Sequence, residues 1–360
     1  MKKESCCTNP RLNKVGGEAV LDGVMMKAGE QCSTAVRTPK GAIRVLTRKF
    51  QSVRTKHKFL NLPIIRGVVN FIETMKLSIS VLNDSAEIFV EDETPKKDEK
   101  KGAGMGIATT ISAMFGILLA LVLFIYLPNL ASGGIEALFH IDLGPWKAIT
   151  SGVIKVIIFV LYIWLVGFMP DIRRTFEYHG AEHKSIACFE SGEELIPANA
   201  KKHSRFHPRC GTSFMFVMIL LGMLLSLAVR VVLEIGFHVD FAVLTENLVG
   251  KNLENLVYSL IGILILPLAM GLGYEFLMYA GKHSDASLVR VLSAPGLWMQ
   301  RLTTHEPSEA QLEVAITALK HALVEEFPDF DRAAYEAEGG YLTPVVEAVE
   351  AVKPALTEEK

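Results

Sequence analysis

Cysteine is scarce in this sequence of 360 residues, which contains five of them. Their number is odd and their spacing irregular, which excludes the paired framework of a disulfide-stabilised secreted domain and indicates a reducing compartment. The residues are Cys6, Cys7, Cys32, Cys188 and Cys210. An apolar stretch is also missing before Gly16. We therefore expect no cleavable secretory signal.

Charge is sparse as well. Charged residues make up 21% of the chain and hydrophobic residues 50%, with a formal net charge of −2. There is no basic excess of the kind that binds nucleic acid, so we expect no specific nucleic-acid partner. A composition this apolar is typical of a protein whose surface partly faces lipid. It argues against a fully soluble protein and predicts the lipid bilayer as a partner.

Four largely uncharged segments are each long enough for a helix that spans a bilayer. They cover residues 103–127, 148–169, 210–229 and 256–278. Lys155 interrupts the second, Pro267 and Glu275 lie in the fourth, and Pro128 is predicted to end the first. The alternative, four buried helices of a large soluble core, requires an unusual run of uncharged segments near 20 residues in length.

Lysine and arginine are unevenly distributed among the connecting segments. Basic residues are frequent before the first span, between the second and third spans, and after the fourth. They are Lys96, Lys97, Lys100 and Lys101, then Arg173, Arg174, Lys184, Lys201, Lys202, Arg205 and Arg209, then Lys282, Arg290 and Arg301. The loops 128–150 and 231–255 contain one lysine each, Lys147 and Lys251, and no arginine. Because short basic loops stay in the cytoplasm, we expect both termini and the loop 170–209 there.

The segment before the first span is predicted to be a small α+β region. Thr38-Pro39-Lys40-Gly41 has the pattern of a type I turn between two short strands in residues 34–46, and residues 16–26 predict one further strand. Residues 62–84 form an amphipathic helix with one polar stripe. We expect this helix to lie along the membrane or on the spanning helices without crossing the bilayer. Covering the small sheet is the alternative.

After the fourth span, Ser308 to Gln311 have capping-box spacing and begin an amphipathic helix, followed beyond Asp329 by an acidic, loosely ordered tail. The predicted fold is therefore a mainly α membrane protein with four transmembrane helices. Residues 1–101 form a small cytoplasmic α+β region and residues 102–282 the membrane domain. Residues 283–360 form a cytoplasmic helix and tail.

The loop 170–209 contains the one constellation that indicates chemistry. His179 and His183 are four residues apart, so on a helix both imidazoles lie on one face and can share a Zn²⁺ ion. The sequence HxxEH is also the inverzincin pattern, in which Glu182 would be the general base. Cys210 offers a thiolate where the chain re-enters the membrane. His207 is a further ligand candidate.

Each candidate also has an ordinary explanation. The histidines can be solvated or bind lipid phosphates, and Glu182 can pair with Lys184 or Arg174. Glu275 is costly in a spanning helix unless it is paired or functional, so it is either a metal ligand or the partner of Lys282 or Arg290. Cys188 is read as structural, and Asp22 is a weaker candidate.

Five motifs together resemble those of the bacterial YqhQ-like family of multipass membrane proteins. They are GGEAVLDGVMM (16–26), PIIRG (63–67), YHGAEHK (178–184), HPRCGTSF (207–214) and PGLWMQRLTT (295–304), within residues 14–323. That family has unknown function and is described as a predicted metal-dependent enzyme. The resemblance implies a bacterial plasma-membrane protein and carries functional roles over to His179, Glu182, His183, His207, Cys210 and Glu275. The family pattern has Gln and Glu where this chain has Glu18 and Asp22.

Three functions fit these observations. The first is a metal-dependent hydrolase with its site, containing a divalent ion such as Zn²⁺, at the cytoplasmic membrane interface. The second is a non-catalytic membrane factor that docks on the protein-insertion machinery, a ribosome or another membrane partner, with a structural metal site or none. The third is a transporter, which Pro267 and Glu275 favour slightly but which the lack of an inverted repeat disfavours.

Overall fold

The computed structural model describes residues 11–93, 111, 114–236, 248–282 and 286–341. The strands are β1 (Val15–Val20), β2 (Gly23–Ala28), β3 (Gln31–Arg37), β4 (Ile43–Lys49) and β5 (Glu336–Tyr341). The helices are α1 (Ile65–Glu93), α2 (Met114–Phe139), α3 (Lys147–Val166), α4 (Pro170–Ser191), α5 (Pro197–Ala200), α6 (Gly211–Arg230), α7 (Leu248–Lys282), α8 (Ser287–Thr303) and α9 (Glu309–Ala322).

Four helices within these described ranges are long and apolar enough to cross a membrane. The spans are Met114–Phe139, Lys147–Val166, Met215–Leu233 and Leu256–Ala280, in α2, α3, α6 and α7. The prediction of four such segments is confirmed. Most of the predicted start of the first segment, residues 103–110 with 112 and 113, lies outside the described residues.

The predicted end of the first span at Pro128 is wrong. The helix continues through this proline to Phe139, and a π-helical turn over Val122–Tyr126 immediately precedes it. A proline has no backbone N–H to donate and its ring collides with the preceding turn of a regular α-helix. The wider turn accommodates both effects, so α2 extends beyond the position at which sequence rules end it.

The strands form one sheet in the order β1-β2-β3-β4-β5, antiparallel from β1 to β4, with β5 parallel to β4. The predicted turn between β3 and β4 is confirmed, since the Gly41 N–H donates to the Thr38 carbonyl over 2.8 Å. The single strand predicted for residues 16–26 is wrong. That segment is a hairpin whose two-residue loop places Asp22 at φ +49°, a left-handed conformation that aspartate tolerates.

Helices cover both faces of the sheet. Side chains of α4 and α9 pack against one face, around Met26 and Ala35. The part of α1 from Leu77 to Ile88 covers the other face, where Leu77 and Val81 meet Val36. Because both faces are covered, successive residues of β2 and β3 are buried without alternation, including Ser33 and Thr34 of β3. The sheet, α4 and α9 share one core, so the segments before the first span, between the second and third, and after the fourth meet at one end of the helix bundle.

The polar stripe of α1 faces other parts of the protein. Arg48 of β4 donates to Ser80 Oγ over 2.7 Å and forms an ion pair with Asp84. Nearer its N-terminus, α1 packs against α7, where a Cβ on Gly67 would lie 2.8 Å from the Gly271 Cα. The helix thus both docks on a spanning helix and covers the sheet. It is not among the four apolar spans, and its position along the membrane surface stays a prediction.

The C-terminal region combines a confirmed and a corrected prediction. Ser308 and Gln311 form the predicted capping box at the start of α9. The loosely ordered tail expected after Asp329 includes instead the strand β5, which is paired with β4, while residues 342–360 lie outside the described part of the chain. Helix α8 has no counterpart among the predicted elements and contains Pro295 in its interior. This helix packs on α6 and ends beside the candidate site.

Candidate metal centre

Helix α4 presents His179 and His183 on one face, as their spacing predicts. Pro170 occupies its first turn, Asp171 places an acid there, and Gly192 ends it in a left-handed conformation at φ +80°. The two imidazole ring centroids lie 4.5 Å apart. The local sequence therefore sets both the helix and the juxtaposition of the two rings.

Cys210 approaches these imidazoles from the beginning of α6, where it is the N-cap residue. Its Sγ lies 3.2 Å from His179 Nε2. One ligand atom from each of His179, His183 and Cys210 falls within 4.8 Å of the other two. We call these three residues the His/Cys cluster. Their donor set of two nitrogens and one sulfur is one that Zn²⁺ accepts.

Backbone carbonyls hold both histidines by their other ring nitrogen. His179 Nδ1 lies 2.8 Å from the Thr303 carbonyl at the end of α8, and His183 Nδ1 lies 2.6 Å from the Arg205 carbonyl. A carbonyl accepts only, so each Nδ1 carries a proton, and in the neutral imidazole Nε2 then keeps its lone pair. This arrangement orients the imidazoles of metal-binding histidines in general. The residues present therefore fit a divalent ion.

Burial sets the protonation of the surrounding groups. It lowers the pKa of His183, which favours the neutral imidazole that a metal requires. Burial also raises the pKa of Glu182 to about 7, with the nearby His179 opposing the rise. The Gly17 N–H of β1 donates to Glu182, and a Cβ at Gly17 would lie 2.9 Å from the Glu182 Cγ. Glu182 thus exchanges a proton near neutral pH.

Glu18 is a second carboxylate at this site, and sequence reasoning did not select it. It accepts a hydrogen bond of 2.5 Å from the Ser78 Oγ of α1. Burial raises its pKa, while Ser78 and the nearby His179 oppose the rise. No spacing rule connects a residue of β1 with the histidines of α4. The one available signal was its difference from the family pattern.

His207 and Glu275 lie outside the His/Cys cluster. The ring centroid of His207 is 5.5 Å from that of His183, but its Nε2 lies 3.7 Å from Glu190 Oε2. The side chain of Gln300 holds the His207 backbone: its Oε1 accepts from the His207 N–H and its Nε2 donates to the His207 carbonyl, each over 2.8 Å. Glu275 is at the contact between α1 and α7, where it accepts from Arg66 Nε over 2.7 Å. His207 thus borders the cluster and Glu275 does not.

The two cations that could have paired with Glu182 form ion pairs with other carboxylates. Lys184 forms an ion pair of 2.9 Å with Glu306, and Arg174 forms one with Asp22 at the hairpin loop. Cys188 groups with Glu193 and His203, yet burial raises the pKa of its thiol to about 11. Its Sγ lies 3.6 Å from the Glu194 carbonyl. A protonated thiol in that position fits the structural role expected for Cys188.

The placement of Glu275 leads to a prediction. Glu275→Gln should leave the metal content of the purified protein unchanged and lower its thermal stability, because Arg66 loses its ionised partner. The side chains of Arg66 and Glu275 are 30% and 26% exposed, so the loss of stability should be small. Metal analysis and a thermal unfolding curve measure both. The same metal loss in Glu275→Gln as in Cys210→Ser would contradict this placement.

Fold and site together define a membrane-associated protein of mainly helical structure, with four apolar spans and an α+β region that contains a His/Cys cluster. The chain belongs to the family described as "Protein of unknown function (DUF1385)", which matches residues 62–325. It is similar to the "Uncharacterized protein YqhQ" of Bacillus subtilis (strain 168), with 30% identity over 318 residues. That match covers 86% of this chain and 92% of the relative. No solved structure matches this chain.

Proposed function

We propose that the chain is a zinc-dependent hydrolase at the membrane surface, with His179, His183 and Cys210 as metal ligands and Glu182 as general base. The observation that supports this most is the orientation of the imidazoles. Both are held at Nδ1 by backbone carbonyls and offer Nε2 on the side where Cys210 Sγ lies. Such pre-orientation is the usual second-sphere arrangement of a metal site.

The number of ligands favours catalysis over a structural role. Among the described residues, three side chains converge, and His207 is engaged with Glu190. A Zn²⁺ ion with three protein ligands supplies Lewis acidity and lowers the pKa of a water molecule at its open position. Glu182 lies between the two histidines on α4, and its carboxylate would accept a proton there. Glu18 places a second carboxylate beside His179.

Cobalt substitution tests the open position. With Co²⁺ in place of zinc, the full-length protein should show a thiolate-to-cobalt charge-transfer band in the visible or near-ultraviolet spectrum. Cys210→Ser should abolish that band, whereas the matched Cys188→Ser should keep it. Adding azide should change the cobalt d–d bands, because an exogenous anion enters an exchangeable position and not a complete four-ligand protein shell. A cobalt-loaded protein that shows the charge-transfer band but whose d–d bands are unaffected by azide would rule out the hydrolase.

Burial of the cluster favours a second candidate function, a non-catalytic membrane factor with a structural metal site. His183 is 2% exposed and Cys210 7%. A metal there would join α4 to the start of α6 and, through the Thr303 carbonyl, to the end of α8. Such a factor would use its α+β region to dock on a membrane partner. In that case zinc is stoichiometric, azide has no spectral effect, and removal of the metal unfolds the protein.

We also propose a bacterial plasma-membrane location with both termini cytoplasmic. Two observations support it: the alternation of basic loops, and the joint packing of the sheet, α4 and α9 at one end of the bundle. In intact cells, an impermeant maleimide should label Asp142→Cys, between α2 and α3, and leave Ser204→Cys unlabelled until lysis. Both positions are exposed. Labelling of Ser204→Cys in intact cells would reverse the orientation.

A further inference from the structure

A polar cleft lies among the spanning helices, away from the His/Cys cluster. Its polar lining consists of Asn129, Ser151, Lys155, Ser226, Arg230 and Tyr258. Helix α6 has 20 residues, with Cys210 before its first turn and Arg230 in its last. At 1.5 Å per residue the two ends are about 30 Å apart. The cleft is therefore near the opposite end of the bundle and is separate from the proposed hydrolytic site.

Two cationic side chains face this cleft, and none of the described residues that line it is acidic. Lys155 lies in the interior of α3, and within the described residues no ion pair or hydrogen bond of its ammonium is found. The nearest charged residue in the same helix, Lys147, is already paired with Glu136 at 3.0 Å. Cations at this depth of a bilayer are costly and mark functional sites in general.

The chemistry of the lining selects an oxyanion. The guanidinium carbon of Arg230 lies 3.3 Å from the ring centroid of Tyr258, which holds its plane beside the cleft. A planar guanidinium with a lysine ammonium nearby is a combination that recognises phosphate oxygens. Ser226 adds a hydroxyl to the lining, whereas the Ser151 hydroxyl donates to the Ala148 carbonyl over 3.1 Å. An anion beside both cations would lower the cost of burying each of them.

We propose that this cleft binds a phosphate-bearing anion through Lys155 and Arg230. The phosphate belongs either to the headgroup of an anionic lipid or to a free phosphate compound. Lys155 is eight residues after Lys147, the first residue of α3. Its Cα is therefore about 12 Å along the helix from the start of the span. A lysine side chain reaches from that depth toward the headgroups.

Thermal unfolding of the full-length protein in dodecyl maltoside tests this site with two probes. Dioleoylphosphatidylglycerol is compared with zwitterionic dioleoylphosphatidylcholine, and inorganic phosphate with chloride at equal ionic strength. At least one anionic probe should raise the wild-type Tm above its control. Lys155→Met should need about tenfold more of that probe for the same shift, since it loses one charge-assisted contact. Lys155→Arg should retain the response.

Lys49→Met, which removes an exposed cation of β4, controls for general attraction of anions. A response to the lipid alone assigns a lipid headgroup to the cleft, and a response to inorganic phosphate assigns a free phosphate compound. The proposal is overturned if neither probe raises the wild-type Tm. It is also overturned if Lys155→Met, folded by size-exclusion chromatography, responds at the same probe concentration as the wild type and Lys49→Met.

Discussion

His183→Ala should lower zinc affinity by at least about 100-fold, so that the purified variant contains almost none. The change removes one of three converging ligands and leaves Cys210 and His179 with too few partners for a tetrahedral ion. Elemental analysis of the purified protein measures it. His57→Ala is the matched control, because His57 is exposed and its side chain makes no capping hydrogen bond.

Glu182→Gln separates the two proposed functions. It preserves shape, so zinc should remain, but the amide cannot accept a proton. Under the hydrolase proposal this variant fails to restore the function of a strain that lacks the gene. Full restoration by Glu182→Gln, together with loss of metal and folding in His183→Ala, would leave only the structural metal site. Zinc content unchanged in His183→Ala would remove both proposals.

Gly180→Ala, at the only glycine of α4, should destabilise the protein strongly. A Cβ at this position would lie 2.1 Å from the His305 carbonyl oxygen, in the segment that follows α8. The helix and that segment must separate, at a cost of about 3 kcal/mol, or on the order of 6 °C in Tm. The Thr303 carbonyl moves with the segment and releases His179 Nδ1, so zinc binding should weaken as well.

Gly211→Ala is the control for that change. Gly211 is next to Cys210, yet nothing lies within 4 Å of a Cβ added there. Its Tm and zinc content should equal those of the wild type, which shows that a methyl group near the cluster is harmless where space exists. Equal Tm values for Gly180→Ala and the wild type would show that α4 does not pack against the 304–308 segment as described.

Local sequence rules were sufficient wherever the deciding interactions are local. Apolar length predicts the four spans, because a helix in lipid must satisfy its backbone internally and needs only a sufficiently long apolar segment. The turn at Thr38 to Gly41 and the capping box at Ser308 each depend on contacts within four residues. The i,i+4 spacing of His179 and His183 predicts their juxtaposition for the same reason.

Tertiary structure decided everything that depends on contacts between distant segments. Sequence could name Glu275 as costly in a span, but not that Arg66 of α1 would neutralise it. It could not connect Glu18 with His179, nor find the carbonyls of Thr303 and Arg205 that orient the imidazoles. Backbone carbonyls are the same in every residue and leave no trace in composition. The sequence by itself therefore determined which residues can bind a metal, and only the packing of α4, α6 and α8 decided which of them converge.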